Sequence, residues 1–203
     1  MSSACERLYS YLPSTRDPVI KVNGVDLFKH PVVKAWHEYF LTTWKSDKAV
    51  AMFLPCTSVK PYSRSATHRL AYALLKKYGL EEKVQVYSVS EPMLLVPKEL
   101  EECYPFNSYD YPPAKMSEAE KEEFSELLVP FLRKVSSQHE RLIAVLPRHH
   151  YKVVEKASGL AHVSVELHSY GRLAFKTISG VIAYIKVFQE ESYKIMKASQ
   201  GGM

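Results

Sequence analysis

Four short apolar runs punctuate the chain: AVAMFLP (49–55), VQVYSV (84–89), RLIAVLP (141–147) and HVSVELH (162–168). Together they are rich in β-branched residues, and each is short enough to be a strand buried on both faces, so each predicts one strand of a parallel sheet. Between them the apolar positions repeat with a helical period. His30 to Trp44 reads as a helix with Pro31 at its first position. Ser65 to Tyr78 reads as a second, ended by Gly79 as a C-cap glycine. Ser117 to Ser136 opens with SEAE, the pattern of a capping box, and Pro130 is expected to kink or divide it. Tyr151 to Ala157 predicts a short connecting helix ending at Gly159, and Phe175 to Ala198 a long one. Strands alternating with helices specify an α/β fold, a three-layer α/β/α sandwich with a four-stranded parallel sheet and right-handed crossovers.

The remaining segments complete the expected organisation. Residues 1–29 read as an irregular N-terminal arm with a turn at Asn23-Gly24, 30–198 as the core domain, and 199–203 as a tail. Residues 90–115 are a long proline- and tyrosine-rich connection, expected as an ordered loop across the carboxyl edge of the sheet. A length of 203 residues suits one domain with its own core. The net charge of +5 is uneven, because acidic residues collect in KELEE (98–102) and SEAEKEEFSE (117–126). The rest of the surface is therefore more basic than the average and compatible with a polyanionic partner. Cys5, Cys56 and Cys103 are widely spaced with no CxxC and no paired histidine, so neither a disulfide framework nor a zinc site is expected. A reducing, cytoplasmic setting follows from that reading. No apolar run reaches the ~18–20 residues of a membrane span and no signal-peptide core is seen, so no membrane partner is expected. No cofactor is expected either.

Chemistry concentrates in residues 55–68, PCTSVKPYSRSATH, where a strand passes into a helix. Open α/β folds bind ligands outside the carboxyl ends of their strands. A thiol, an amine, a phenol, hydroxyls and an imidazole within one such loop exceed what a turn requires.

These residues carry a family likeness. Pro55-Cys56, three residues, Lys60-Pro61-Tyr62, two residues, Ser65, two residues, His68 resembles the signature of archaeosine synthase, a family related to archaeal tRNA-guanine transglycosylases. Ser90-Glu91-Pro92, Val96-Pro97-Lys98-Glu99-Leu100-Glu101, Tyr104-Pro105 and Tyr109-Asp110 resemble the same domain in the same order, over about residues 30–190. There is no room for the transglycosylase-like barrel or the RNA-binding PUA domain of full-length members, so the chain resembles the core domain alone, as a short or split form. That domain is in turn similar to the uracil-DNA glycosylase fold. Lys60-Pro61-Tyr62 stands where glycosylases have Asp-Pro-Tyr, and His168-Ser169 where they have His-Pro-Ser. Lys60 thus replaces the water-activating carboxylate, and hydrolysis of an N-glycosidic bond is not expected.

The resemblance implies a substrate, tRNA bearing a cyano-deazaguanine base in its D-loop, and a reaction, addition of an amine (lysine in the family) to the nitrile. It implies free lysine or another amine donor as co-substrate, and a radical enzyme of the same pathway or a transglycosylase as partner. Under it Cys56 either adds to the nitrile as thiolate or lines the pocket, Lys60 holds an anion or stabilises that thiolate, and His68 acts as general acid or shapes the loop. Tyr62 offers a face for base stacking and Ser65 a hydroxyl or a helix cap. Glu99 and Asp110 are carboxylates for the donor edge of a guanine-like base. Arg148 is a phosphate contact, and His168 and Ser169 touch base or phosphate. The alternative is a non-catalytic tRNA-binding subunit that assists a separate transglycosylase or synthase.

Overall fold

In a computed structural model of the chain, residues 3–22, 24–112 and 116–200 are described. Asn23 of the expected Asn23-Gly24 turn lies outside them, as do 113–115 of the long connection and 201–203 of the tail; Gly24 itself has φ +78°. The elements in chain order are α1 (Ser3–Tyr9), β1 (Val19–Ile20), α2 (Pro31–Thr42), β2 (Val50–Pro55), α3 (Ala66–Lys77), β3 (Val84–Ser90), β4 (Leu94–Pro97), β5 (Tyr109–Asp110), α4 (Glu118–Gln138), β6 (Arg141–Pro147), α5 (Arg148–Ala161), β7 (Glu166–Tyr170) and α6 (Ala174–Gln200).

The main sheet has the order β4-β3-β2-β6-β7. β3, β2, β6 and β7 run parallel, as the apolar runs require, and β4 is antiparallel at one edge. The expected four-stranded sheet is therefore corrected to a five-stranded mixed one. β4 had been read as part of a loop because its four residues follow β3 after only Glu91-Pro92-Met93, with Leu94 turning back at φ +67°. Apolar residues of both strand faces feed separate cores. Val50, Met52 and Leu54 of β2 pack with Ala71 and Leu75 of α3 and Ile178, Ile182 and Ile185 of α6. Ala51 and Phe53 face the other way, with Trp36 and Phe40 of α2, Phe131 of α4 and Val154 of α5. Two-sided burial is why these strands read as continuous apolar runs rather than alternating ones.

Local sequence accounts for most helix ends. The Ser65 side chain accepts from the His68 amide and starts α3. Gly79 follows α3 at φ +65°, where the Leu80 amide donates to the Leu75 carbonyl in the pattern of a glycine C-cap. Ser117 and Glu120 form the capping box of α4. That helix runs through Pro130 as one element rather than dividing there. α5 is longer than expected: it begins at Arg148, passes Gly159, and is closed by His162 in the left-handed region at φ 55°. His162 therefore belongs to a helix cap, and the fourth parallel strand is shifted to Glu166–Tyr170 from the expected 162–168.

The first thirty residues contribute to the core. Leu8, Leu12, Val19, Leu27 and Phe28 are buried in the cluster on the α2 side of the sheet. β1 pairs in parallel with β5, Val19 opposite Tyr109 and Ile20 opposite Asp110. A disulfide joins Cys5 to Cys103 across a sequence separation of 98 residues. This overturns the expectation of no disulfide. Spacing along the chain carries no information about two cysteines that meet only when α1 packs beside the turn after Leu100.

Candidate functional site

β2 lies between β3, reached through α3 on one face, and β6, which is followed by α5 on the other face. The chain thus winds away from β2 in both directions. The gap between the carboxyl ends of β2 and β6 is the switch point where open α/β sheets hold ligands. A cavity of about 390 Å³ opens there, within the usual range for small-molecule sites. Its walls include Cys56, Lys60, Thr67, Tyr109, Asp110, His149, His150 and Tyr170.

Three neighbouring strand ends build its floor. Cys56 directly follows β2, and its amide still donates to the Val89 carbonyl at 2.8 Å, extending the ladder by one residue. Glu91 directly follows β3 in the three-residue turn to β4. α2 pins that turn: the Trp36 indole N–H donates to the Met93 carbonyl at 2.7 Å, and His37 Nε2 lies 3.0 Å from the Pro92 carbonyl. His149 and His150 occupy the first turn of α5, directly after β6.

These ends converge on the fully buried Glu91 carboxylate. Cys56 Sγ lies 3.7 Å from its Oε2, His149 Nε2 is hydrogen-bonded to Oε1 at 2.9 Å, and His150 Nε2 stands 3.0 Å from the same oxygen. Burial alone would raise the Glu91 carboxyl, but the His150 and His149 imidazoles outweigh it and hold it down at about 2. Burial likewise opposes charge on His150, yet the Glu91 carboxylate, with the Cys56 sulfur beside it, holds that imidazole up at about 10. Neither ring nitrogen of the buried His150 makes a hydrogen bond. The reacting atoms of Cys56, Glu91 and His150 all lie within 4.8 Å of one another, a donor set of the kind that holds metal ions.

Lys60 forms the opposite lip. Its ammonium donates to the Thr57 carbonyl at 2.8 Å and sits 4.2 Å from the centre of the Tyr109 ring and 5.5 Å from that of Tyr62. Burial pushes its pKa down, partly offset by Cys56, Asp110 and Glu91. A cation held by one carbonyl and two ring faces is fixed in place yet keeps donors for a ligand. Asp110 is exposed at the rim, as the last residue of β5.

Of the residues singled out from sequence, Cys56, Lys60 and Asp110 share this cavity. His68 does not. It is fully buried, with Nδ1 bonded to Ser65 Oγ and Nε2 to Ser88 Oγ, each at 3.0 Å, and burial lowers its pKa to about 4. Ser65 is the α3 cap. Tyr62 presents no free face, since it is fully buried and its hydroxyl joins those of Tyr109 and Ser90 in one network. Glu99 lies at a separate groove with Tyr72, Lys98 and Glu101, its carboxylate accepting from Gln85 Nε2 at 2.6 Å. Arg148 and Ser169 line a shallow groove beside the cavity, with Tyr151, Lys152 and Tyr170. His168 lies within β7 opposite Val145, and Tyr170, not His168, ends the strand. Sequence reading passed over Glu91, His149 and His150 as ligating groups. Glu91 stood in a recognised motif and the histidines at a predicted strand end, but nothing in their spacing from Cys56 marked them as neighbours.

A family profile described as "Domain of unknown function (DUF5591)" matches residues 33–174. Archaeosine synthase subunit alpha of Thermoplasma acidophilum is 30% identical over 134 residues, which is 65% of this chain and 26% of that protein. Archaeosine synthase of Haloferax volcanii is 29% identical over 158 residues, 72% of this chain and 25% of its own length. The archaeosine synthase of Methanocaldococcus jannaschii is 30% identical over 154 residues, 71% and 26% respectively. This chain therefore spans about a quarter of these relatives. Among solved structures, that of AF0587, a protein of unknown function, shares the fold with a TM-score of 0.51 at 24% identity, covering 76% of this chain and 48% of that one. With its profile match running from the third residue of α2 to the first of α6, the chain belongs to the DUF5591 domain family and is related to the archaeosine synthases.

Proposed function

We propose that the chain acts in archaeosine formation on archaeal tRNA, its cleft adding an amine, lysine in the resemblance, to the nitrile of a cyano-deazaguanine base. The observation that carries this reading is the position of Cys56 beside Glu91, His150 and Lys60 in the switch-point cavity. A nitrile carbon is a weak electrophile, so the reaction needs a strong nucleophile at carbon and a proton for nitrogen. Sulfur of Cys56 bonds to the nitrile carbon, the nitrogen takes a proton from the His150 or Lys60 cation, and the thiol proton passes to the base so left behind, with Glu91 holding the His150 imidazole in place. The resulting thioimidate is displaced by the incoming amine, which forms the amidine and returns the thiol. Asp110 at the rim faces the donor edge of the base. Arg148 and Lys152 in the adjacent groove meet phosphates, in keeping with the basic excess. A layer of helices on each side of four parallel strands supports a glycosylase-like architecture, extended by β4 at its edge.

The test is to incubate the protein with tRNA carrying the cyano-base and free lysine, then look for the lysine adduct on the nucleoside by mass spectrometry. An adduct with the natural chain and none with Cys56→Ser supports the assignment. Full turnover by Cys56→Ser sinks it. A second reading, a tRNA-binding subunit without chemistry of its own, is favoured by the naming of the Thermoplasma relative as a subunit. Unimpaired tRNA binding with no adduct under any condition selects it.

A further inference from the structure

We propose that Cys56, Glu91 and His150 form a binding site for a single divalent cation of the zinc class, with a fourth coordination position open to the cavity. The donors are one sulfur, one carboxylate and one imidazole, and that mixture suits zinc better than the hard cations that prefer all-oxygen cages. Their spacing agrees. Zinc bonds of ~2.3 Å to sulfur and ~2.0 Å to nitrogen or oxygen place tetrahedral donors ~3.3–3.5 Å apart. Sγ to Oε2 is 3.7 Å, Nε2 to the other carboxylate oxygen is 3.0 Å, and one donor atom from each of the three residues lies within 4.8 Å of the other two, close enough for a single ion to draw them together.

The second observation is His150 itself. The residue is 3% exposed, and both ring nitrogens are buried without a hydrogen bond. Nε2 stands 3.0 Å from Glu91 Oε1, at ion-pair distance. Buried polar side chains are nearly always satisfied, so an imidazole that meets its carboxylate only as an ion pair, with neither ring nitrogen hydrogen-bonded, calls for a further partner. A cation supplies one. His149 completes the arrangement: it bonds to Glu91 Oε1 at 2.9 Å from outside the donor set, as the groups that orient metal ligands do. The half-buried Cys56 and the cavity leave the fourth position accessible to solvent and to a ligand. Bound there, the ion replaces the thiol proton and keeps Cys56 as thiolate at neutral pH. The inference stands on the protein alone and is independent of the nitrile reading.

The experiment strips the full chain with EDTA and titrates it with Zn²⁺, and in parallel with Co²⁺ as a spectroscopic probe. The expected result is one ion per chain retained through gel filtration, and a thiolate-to-cobalt charge-transfer band in the near ultraviolet. Cys56→Ser should abolish the band, and Cys56→Ser and His150→Gln should each weaken binding at least ~10-fold, with His149→Gln weakening it ~10-fold. Thermal melts show whether each variant is folded. If His150→Gln fails to fold, the cobalt spectrum of the natural chain decides. Absence of the band, no stoichiometric retention, or natural affinity in folded Cys56→Ser and His150→Gln overturns the proposal. The two readings fail separately: an adduct formed by a chain that retains no zinc on titration removes the cation and leaves the cleft chemistry, whereas stoichiometric zinc without any adduct does the reverse.

Discussion

Replacing His68 with glutamine separates a structural imidazole from a catalytic one. His68 sits fully buried between Ser65 Oγ and Ser88 Oγ, and its pKa is lowered to about 4 by burial. An unfolded histidine titrates near ~6.5. Because the folded value is depressed, the unfolded chain binds the proton first, and stability is lost as pH falls from ~6.5 towards 4. With those two values the loss between pH 7 and pH 5 is about 2 kcal/mol from this residue alone. Glutamine does not titrate, so His68→Gln should lack that component while keeping the contribution of His37, whose pKa burial also lowers to about 4. At pH 7 the variant should be destabilised by ~1–3 kcal/mol, since one or both serine hydroxyls lose a well-placed partner. Urea unfolding of both proteins at pH 7 and pH 5 measures each quantity. The excess acid sensitivity of the natural chain should be about 2 kcal/mol. An equal drop in both proteins refutes the burial reasoning. Natural stability combined with loss of adduct formation would return His68 to the chemistry.

Four further outcomes follow from the same contacts. Trp36→Phe removes the donor to the buried Met93 carbonyl and should cost ~1–3 kcal/mol in urea unfolding, because the turn carrying Glu91 loses its anchor. Reducing the Cys5–Cys103 disulfide, or substituting Cys103→Ser, should lower the melting temperature; closing a 98-residue separation is worth ~4–5 kcal/mol through the unfolded state. Lys60→Met should abolish or sharply reduce lysine-adduct formation while shifting stability by no more than ~1 kcal/mol, the scale of a partly exposed cation–π contact. Arg148→Gln should weaken tRNA binding and reduce the slope of log affinity against log salt by ~1, as filter binding across a salt series would show.

The strands and helices were legible wherever a local physical signal decides the outcome. Val50–Pro55 and Arg141–Pro147 are largely apolar on both faces because both faces are covered, so their composition marks them as interior strands; Val84–Ser90 is equally buried and carries Gln85, Ser88 and Ser90 among its apolar residues. Ser117 with Glu120, and Gly79 at positive φ, carry their helix ends in one or two residues. β4 and β7 were missed or displaced for the opposite reason. Four residues after a three-residue turn show no periodicity of their own, and Val163–Val165 is β-rich sequence that follows the left-handed helix cap at His162.

What the sequence by itself determined is the α/β class, three of the parallel strands, the Ser65, Gly79 and Ser117 helix ends, and the loop carrying Cys56 and Lys60, all set by interactions within a few residues or by burial of a whole segment. What only the tertiary structure decided is which groups meet. Glu91 and His150 are 35 and 94 residues from Cys56, and Cys5 and Cys103 lie 98 apart, so their contacts exist only after the strands align. His68 and Tyr62 went the other way: neighbours of Cys56 in the chain, they are turned into the core by the pitch of α3 and the turn before it. Proximity in sequence governs the backbone, whereas the direction in which each side chain leaves it belongs to the packed sheet.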